Sequence, residues 1–335
     1  MHHARDCRRL CAVAGAGVAL AAWGPLFLAP GGAVYAAGFP DRPIRLIVPF
    51  APGGGVDLAG RVLAQRLTER LPQPVVVENR VGASGLVGAE LVARAAPDGH
   101  TLLIGSQTTQ AVVPAMVAKP PYDGIRDFAP VILVATSPLV VTVHPALPVK
   151  DVAQLIALAK ARPGQLTFGA AAGGTPHMAG ELFKASAGVD LLFVPYKGEG
   201  PAVSDLIGGH IAVVFGNLPV VLPHVRSGRL RALAVTSAQQ AAGAPEIPTV
   251  AASGLPGFDA STWFGVFAPA ATPREIVQRL NEEAARGLQQ PEVRDKLAAQ
   301  GLFVAAGPPE QLAKLLVVEV PRWSRIARGS GLKLD

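Results

Sequence analysis

Short apolar, β-branched runs alternate with helical patterns along most of this 335-residue chain. The runs have the length of buried strands, and the segments between them carry apolar residues at the spacing of amphipathic helices. Strands that alternate with helices are typical of α/β folds with largely parallel sheets. We therefore predict an α/β fold, with strands at residues 44–50, 75–78, 101–105, 131–135, 139–144, 166–169, 191–194, 211–215, 230–236 and 264–267.

The helical patterns between these runs have recognisable starts. Thr272 is predicted as an N-cap with Pro273 in the first turn, and Thr175 and Pro176 repeat that order. The predicted helices cover residues 58–71, 86–95, 152–161, 178–187, 202–207, 218–226 and 273–287.

The first 36 residues have the form of an export signal. Three arginines precede an apolar, alanine-rich run at residues 10–28, and Val34-Tyr35-Ala36 suits a signal-peptidase site. We predict a signal peptide at 1–36 that is cleaved near Ala36, and a periplasmic mature protein. A retained membrane anchor is the alternative, and an arginine pair in the leader leaves twin-arginine export open beside general secretion.

Composition limits the partners of the mature chain. Both cysteines, Cys7 and Cys11, fall within the predicted leader, so the mature sequence contains no disulfide and no cysteine metal ligand. Removing the leader takes away three basic residues and one acid, which lowers the net charge from +6 to +4. The remaining basic residues form no cluster, and aromatic residues make up only 5% of the chain. These features argue against nucleic-acid binding and favour small anions.

The strongest candidate site follows the first predicted strand, in the segment IRLIVPFAPGGGVD. Gly53, Gly54 and Gly55 allow close approach to a ligand and positive φ, and the N–H groups of the following helix start stabilise an anion. The segment therefore predicts a backbone site for a carboxylate or a phosphate. A tight strand-to-helix turn without a ligand explains the same glycines, and Asp57 complements the helix dipole in either case.

A second turn, at residues 170–177, repeats this order of elements. The predicted strand at 166–169 leads into Ala171 and Ala172, the pair Gly173-Gly174 follows, and Thr175 is predicted to cap the next helix. Two helix N-termini are therefore predicted to face one cleft. His177 is a candidate donor to the ligand, although a single histidine near a helix start is more often structural.

Polar side chains follow three other predicted strands. Ser106, Tyr196, Lys197 and Asn217 lie just beyond strand ends, and open α/β sheets bind ligands in the crevice outside the carboxyl ends of their strands. Tyrosine and asparagine would orient a ligand through hydrogen bonds. Lys197 would neutralise a carboxylate, with a solvated surface lysine as the alternative.

Enzymatic and cofactor-dependent functions find little support in the motifs. The run at residues 82–88 lacks the spacing of dinucleotide-binding and phosphate-binding loops, and Ser84 is not in a G-x-S-x-G motif. The histidines after the leader stand singly, without an H-x-x-x-H pair, so we predict no metal site and no cofactor. A hydrolase that uses Ser84 or Ser106 with a histidine is the enzymatic alternative.

Seven ordered blocks from Phe39 to the C-terminus carry a family resemblance. The blocks are FPDRPIRLIVPFAPGGGVD, VVVENRVGASGLVGAELVARAAPDGHTLLIG, HMAGELF, VPYKGEGPAVSDLIGGHI, LPVVLPHVRSGRLRALAVT, WFGVFAPAATPREIVQRLN and WSRIARGSGLKLD. Together they resemble the Bug-type periplasmic solute receptors of tripartite tricarboxylate transporters. The resemblance implies a two-lobed periplasmic-binding-protein fold whose chain crosses between lobes near Leu139 and Trp263. Residues 37–139 and 263–335 would form one lobe and residues 140–262 the other.

The resemblance also implies roles for single residues. Phe50 would cover the solute, and Pro52 would join the three glycines in a loop that supplies backbone donors. The chain departs from the family pattern at Ala170 and Ala171, where serines are usual, and at Gly216, where an aspartate is frequent. These departures predict a less polar pocket than is usual in the family.

The function implied by the resemblance is capture of a small organic carboxylate between two lobes that close by hinge motion. A monomeric receptor of this kind would deliver its solute to the integral membrane subunits of a tripartite tricarboxylate-type transporter. An orphan receptor that signals to a sensor kinase is equally consistent with the sequence. Neither role requires catalysis, and we predict that the protein is not an enzyme.

Overall fold

The structure is a computed structural model that describes residues 38–329. The predicted signal peptide and its cleavage site lie outside the described residues. Within those residues, no helix combines the length and apolar character needed to cross a membrane.

The described residues form ten strands. Most of the apolar runs identified in the sequence lie within these strands. The strands are β1 (Ile44–Val48), β2 (Val75–Asn79), β3 (Thr101–Gly105), β4 (Phe128–Val143), β5 (Thr167–Ala171), β6 (Leu192–Tyr196), β7 (Val213–Asn217), β8 (Arg231–Val235), β9 (Ser261–Pro269) and β10 (Phe303–Val304).

Helices join and cover these strands. They are α1 (Gly55–Thr68), α2 (Leu86–Ala93), α3 (Val113–Met116), α4 (Val152–Ala161), α5 (Thr175–Ala187), α6 (Glu199–Ile207), α7 (Leu218–Arg226), α8 (Arg274–Leu288), α9 (Pro291–Ala299) and α10 (Pro309–Gly329). A short 3₁₀ helix at Ala83–Gly85 precedes α2, and a π-helical segment at Thr108–Val112 precedes α3.

The strands form a sheet in the order β2-β1-β3-β9-β4-β7-β5-β6, with β8 and β10 paired to β4 outside this path. Strand β1 is parallel to β2 and β3, and β5 is parallel to β6 and β7. The two central strands, β4 and β9, are antiparallel to each other and to their outer neighbours. The prediction of largely parallel sheets is therefore wrong for the centre, where two long strands connect two parallel groups.

Strand β4 runs through both halves of the molecule. Its residues up to Pro138 pair with β9, and those from Leu139 pair with β7 and β8. The sequence analysis predicted two strands here, at residues 131–135 and 139–144. One 16-residue strand is found instead. The predicted lobe boundaries near Leu139 and Trp263 stay a prediction, although the pairing of β4 changes partner at Leu139.

Four apolar clusters form the core. Helices α1 and α8 pack beside β1 on one face, and α2 packs beside β3 on the other. Helices α4 and α5 cover one face of the second group of strands, and α6 and α7 cover the other. Helix α10 belongs to both halves, because Leu312 and Leu316 pack in the cluster with α2 while Trp323 and Ala327 pack in the cluster with α5.

Two helix starts differ from the sequence prediction. The N-cap of α5 is Gly174, so Thr175 is the first helical residue. The N-cap of α8 is Pro273 in place of Thr272. Neither N-cap residue makes a side-chain hydrogen bond to its helix, so the threonine caps predicted from the sequence are not formed.

Candidate functional site

A cavity of about 70 Å³ lies where the loops after β1, β3 and β5 meet the start of α6, the end of β7 and strand β9. Eight residues proposed from the sequence line it, namely Phe50, Gly54, Gly55, Ser106, Ala171, Gly174, Thr175 and Asn217. Residues that the sequence argument did not single out complete the lining, among them Ala51, Thr108, Gly198, Glu199, Thr262 and Phe264. The cavity is small beside drug-sized pockets of about 300–1,000 Å³, so it suits a small solute.

The two glycine turns have the same backbone geometry. The first glycine has positive φ, at 87° for Gly53 and 70° for Gly173. The second is an extended N-cap, with φ −86° at Gly54 and −72° at Gly174. The expectation of positive φ is therefore correct for the first glycine of each pair and wrong for the second. Gly55 is needed for a different reason, since a Cβ there would lie 3.0 Å from Cζ of Phe264.

Most N–H groups of these turns donate within the protein. The N–H of Gly53 donates to Asp57 at 3.0 Å, and that of Gly173 donates to Nδ1 of His177 at 3.0 Å. The N–H of Gly174 donates to the carbonyl oxygen of Ala171 at 2.9 Å. Among the described residues, the N–H of Gly54 has no acceptor. Fewer backbone donors are therefore free for a solute than the sequence pattern suggests.

Asp57 stabilises the first turn from behind the residues that line the cavity. Its carboxylate accepts hydrogen bonds from Gly53, from Arg61 Nε at 2.8 Å and from Asn79 Nδ2 at 3.0 Å. Burial pushes the pKa of Asp57 upward, but the hydrogen bonds from Arg61, Asn79 and Gly53 outweigh it, and the pKa is lowered. Asp57 is thus an ionised brace for the loop, outside the cavity lining together with Pro52 and Gly53.

His177 has the corresponding place behind the second turn. It is 1% exposed, its ring stacks on Phe193 with a centroid distance of 3.7 Å, and its Nδ1 accepts the N–H of Gly173. Burial lowers the pKa of His177 to about 4, so the ring is neutral near pH 7. It does not line the cavity, nor do Ala172 and Gly173.

Tyr196 and Lys197 also lie away from the cavity lining. The hydroxyl of Tyr196 donates to Asp205 Oδ2 at 2.6 Å, and burial, with Asp205, raises the pKa of Tyr196 to about 12. Lys197 is exposed. The sequence rule that places residues at strand ends near a crevice holds for Ser106 and Asn217, because their side chains turn toward the cavity.

Hydroxyl groups line one wall. The Ser106 hydroxyl has no hydrogen-bond partner among the described residues, although the residue is 2% exposed. Thr108 Oγ1 lies 3.0 Å from Thr175 Oγ1 and accepts the N–H of Thr175 at 3.0 Å. These bonds connect the π-helical segment to the start of α5 across 67 positions of sequence. This wall offers hydroxyl donors beside the N-terminus of α5, an arrangement that favours an anion.

Glu199 forms another wall of the cavity and was not among the residues proposed from the sequence. It is the first residue of α6. Its carboxylate accepts the N–H of Asn217 at 2.5 Å and Asn217 Nδ2 at 2.7 Å. Burial raises the pKa of Glu199 to about 7, against the opposing effect of hydrogen bonds from Asn217 and from the N–H of Gly55.

Glu199 lies beside the departure at Gly216. A Cβ on Gly216 would clash with Val221 Cγ1 and lie 3.3 Å from Glu199 Oε1. No local pattern indicates that these two positions are neighbours, because the end of β7 and the start of α6 meet only in the fold.

In the part of the chain that the structure describes, no group of three or more His, Cys, Asp or Glu residues is placed to hold a metal ion. Glu199 is the one ionisable residue among the described residues that line the cavity. The remaining lining is hydroxyl, amide, glycine and apolar.

Residues 59–332 match the family model described as "Tripartite tricarboxylate transporter family receptor". The chain is 43% identical to protein BugT of Bordetella pertussis over 303 residues, which cover 90% of this chain and 93% of BugT. It is similar in structure to Rpa4515 of R. palustris solved with adipate, with a TM-score of 0.85, 38% identity, and coverage of 88% of this chain and 99% of that one. It is also similar to MatC (Rpa3494) of Rhodopseudomonas palustris with bound malate, with a TM-score of 0.82, 33% identity, and coverage of 86% and 100%.

Proposed function

Because this chain belongs to the tripartite tricarboxylate transporter receptor family and has its two-lobed periplasmic-binding-protein fold, we propose that it is a periplasmic receptor for a small organic carboxylate. Two solved relatives are described with adipate and with malate, both carboxylates. The observation that carries the proposal is the cavity itself, in which the free Ser106 hydroxyl, the start of α5 and the Thr108–Thr175 pair lie together.

The solute carboxylate in this proposal lies against the hydroxyl wall. Ser106 donates to it, and Thr175 Oγ1 is able to donate when Thr108 donates to Thr175. Backbone at Gly54, Ala171 and Gly174 lies within the same lining, and Phe50 covers the cavity with Phe264. The residues behind this layer, including Asp57 and His177, would act by holding the two turns in place.

The proposal extends to location and partners. The predicted signal peptide would be cleaved near Ala36, and the mature monomer would deliver its solute to integral membrane transporter subunits. A receptor that signals to a sensor kinase remains the second candidate. No catalytic residue is proposed: among the described residues the Ser106 hydroxyl has no histidine partner, and Ser84 lies outside the cavity lining.

A thermal-shift and calorimetric panel tests this function. Purified residues 37–335 are mixed with organic acids, amino acids, sugars and nucleotides, without added metal. One-to-one binding of a small carboxylate is expected. Stabilisation by sugars, cations or nucleotides alone would contradict the proposal. Co-purification of the loaded protein with large and small membrane subunits, compared with a sensor kinase, separates the two receptor roles.

A further inference from the structure

The cavity contains an acid of its own. Glu199 lies at the start of α6, and both of its carboxylate oxygens accept hydrogen bonds from Asn217. The N–H of Gly55, at the first residue of α1, also faces this carboxylate. The N–H of Gly55 is therefore already directed at a carboxylate of the protein, which leaves the hydroxyl wall and the start of α5 as the main donors for the solute carboxylate.

No cation accompanies this acid. Among the described lining residues there is no lysine, arginine or histidine, and no ion pair of the described residues involves Glu199. The acids on neighbouring elements are engaged elsewhere, since Asp57 pairs with Arg61 and Asp205 accepts from Tyr196, and Lys197 is exposed outside the cavity lining.

A second acceptor lies beside it. Asn217 is 7% exposed, and its Oδ1 has no hydrogen-bond donor among the described residues, because its Nδ2 is committed to Glu199. A buried acceptor without a partner is unfavourable, so this oxygen is available to a donor from the solute. Glu199 and Asn217 together make this wall rich in acceptors, whereas the wall at Ser106 and Thr175 is rich in donors.

We propose that Glu199 is a specificity-determining residue that selects small carboxylates carrying an ammonium group, with the ammonium at Glu199 and the carboxylate at the hydroxyl wall. The inference rests on the proposed function, because it requires a carboxylate in this cavity. A second carboxylate at the Glu199 wall would place two negative charges together in a poorly solvated space, and like charges there disfavour binding. An ammonium would instead complete an ion pair whose acid is already held in position by Asn217.

The experiment compares solutes that differ only at one end. Butyrate, 4-hydroxybutyrate, 4-aminobutyrate and succinate share a four-carbon chain, and propionate, lactate, alanine and malonate repeat the comparison with three carbons. Affinities are measured by calorimetry at pH 8 on residues 37–335. We expect the ammonium member of at least one series to bind at least tenfold more tightly than its methyl, hydroxyl and carboxylate counterparts.

Three variants connect the preference to Glu199. Glu199→Gln should lower the ratio of ammonium to dicarboxylate affinity at least tenfold, and Glu199→Asp should retain part of the preference. Glu282→Gln is the matched control, because Glu282 is exposed on α8 and pairs only with Arg286 on the same helix. At pH 5.5 the wild-type ratio of ammonium to hydroxyl affinity should also fall, since the pKa of Glu199 is raised and the acid becomes protonated while both solutes keep their charge.

The outcomes distinguish a failure of the proposed function from a failure of the role of Glu199. If no carboxylate in either series binds, the proposed function fails. If carboxylates bind but succinate or a hydroxy acid binds as tightly as the ammonium member, only the role of Glu199 is overturned. A preference that Glu199→Gln leaves unchanged overturns it as well. Should Glu199→Gln fail to fold, Glu199→Asp and the pH comparison on wild-type protein decide the same question.

Discussion

Replacing Glu199 with glutamine should stabilise the ligand-free protein at pH 8 and leave its stability at pH 4 almost unchanged. The pKa of Glu199 is about 7 in the folded state against an ordinary 4.5. The folded state therefore holds this proton more tightly than the unfolded state, and its stability falls as pH rises from 4.5 to 7. At about 1.36 kcal/mol per pKa unit, the ionised carboxylate costs about 3 kcal/mol above pH 7.

Glutamine removes this cost because it is neutral at every pH and nearly isosteric. Its single carbonyl oxygen accepts only some of the hydrogen bonds that Asn217 donates to the Glu199 carboxylate. We therefore expect a net gain in the free energy of unfolding of about 1–3 kcal/mol at pH 8. The assay is urea denaturation of wild type and variant at half-unit steps from pH 4 to 8.5, with the difference in unfolding free energy plotted against pH. A difference that does not change with pH, or that grows toward acid pH, would refute the argument.

His177 supplies an internal comparison with the opposite sign. Its folded pKa of about 4 lies below the ordinary 6.5, so its contribution to stability is complete above pH 6.5 and is lost as pH falls toward 4. The size is again about 3 kcal/mol. In His177→Asn, an oxygen at the position of Nδ1 still accepts from Gly173, and this acid-dependent loss should disappear. The two groups offset each other between pH 4.5 and 6.5, so each slope becomes visible only when the other is removed.

Four further variants test the first glycine turn, the hydroxyl wall and the exposed lysine. Gly53→Ser should destabilise by about 1–2 kcal/mol, because Gly53 has φ 87°. Gly54→Ser should keep stability, since serine is a good N-cap, but weaken solute binding; equal melting temperatures for the two variants would contradict this. Thr108→Val should cost about 1–2 kcal/mol in urea unfolding by leaving the N–H of Thr175 without its acceptor, and an unchanged unfolding free energy would show that another group takes over. Lys197→Ala should alter solute affinity less than twofold by calorimetry, and a large loss with strong salt dependence would place this lysine at the solute after all.

Local sequence patterns predicted the elements whose ends are set by nearby residues. Helices α4 and α7 begin and end as predicted, at Val152–Ala161 and Leu218–Arg226, and β3 does so at Thr101–Gly105. Strand β4 was divided into two strands in the prediction, although Pro138, which cannot donate to a ladder, lies within it. The structure accommodates it at the point where β4 exchanges β9 for β7, a tertiary arrangement without a local signature.

The site was predictable to the extent that it depends on turns. The two glycine pairs brought Gly54, Gly55 and Gly174 to one cavity, as their order between strand and helix indicates. What the sequence could not indicate is where the N–H of Thr175 is directed, because its acceptor, Thr108, lies 67 positions away and meets it only in the fold. Glu199 escaped notice for the same reason.

The position of α10 bears on when this chain acquires its native core during synthesis. Leu312 and Leu316 complete one apolar cluster, and Trp323 and Ala327 complete another in the opposite half. A nascent chain that has emerged only to residue 308 lacks all four of these side chains, so part of each cluster is open to water. Completion of both clusters therefore depends on a single helix near the end of the described residues.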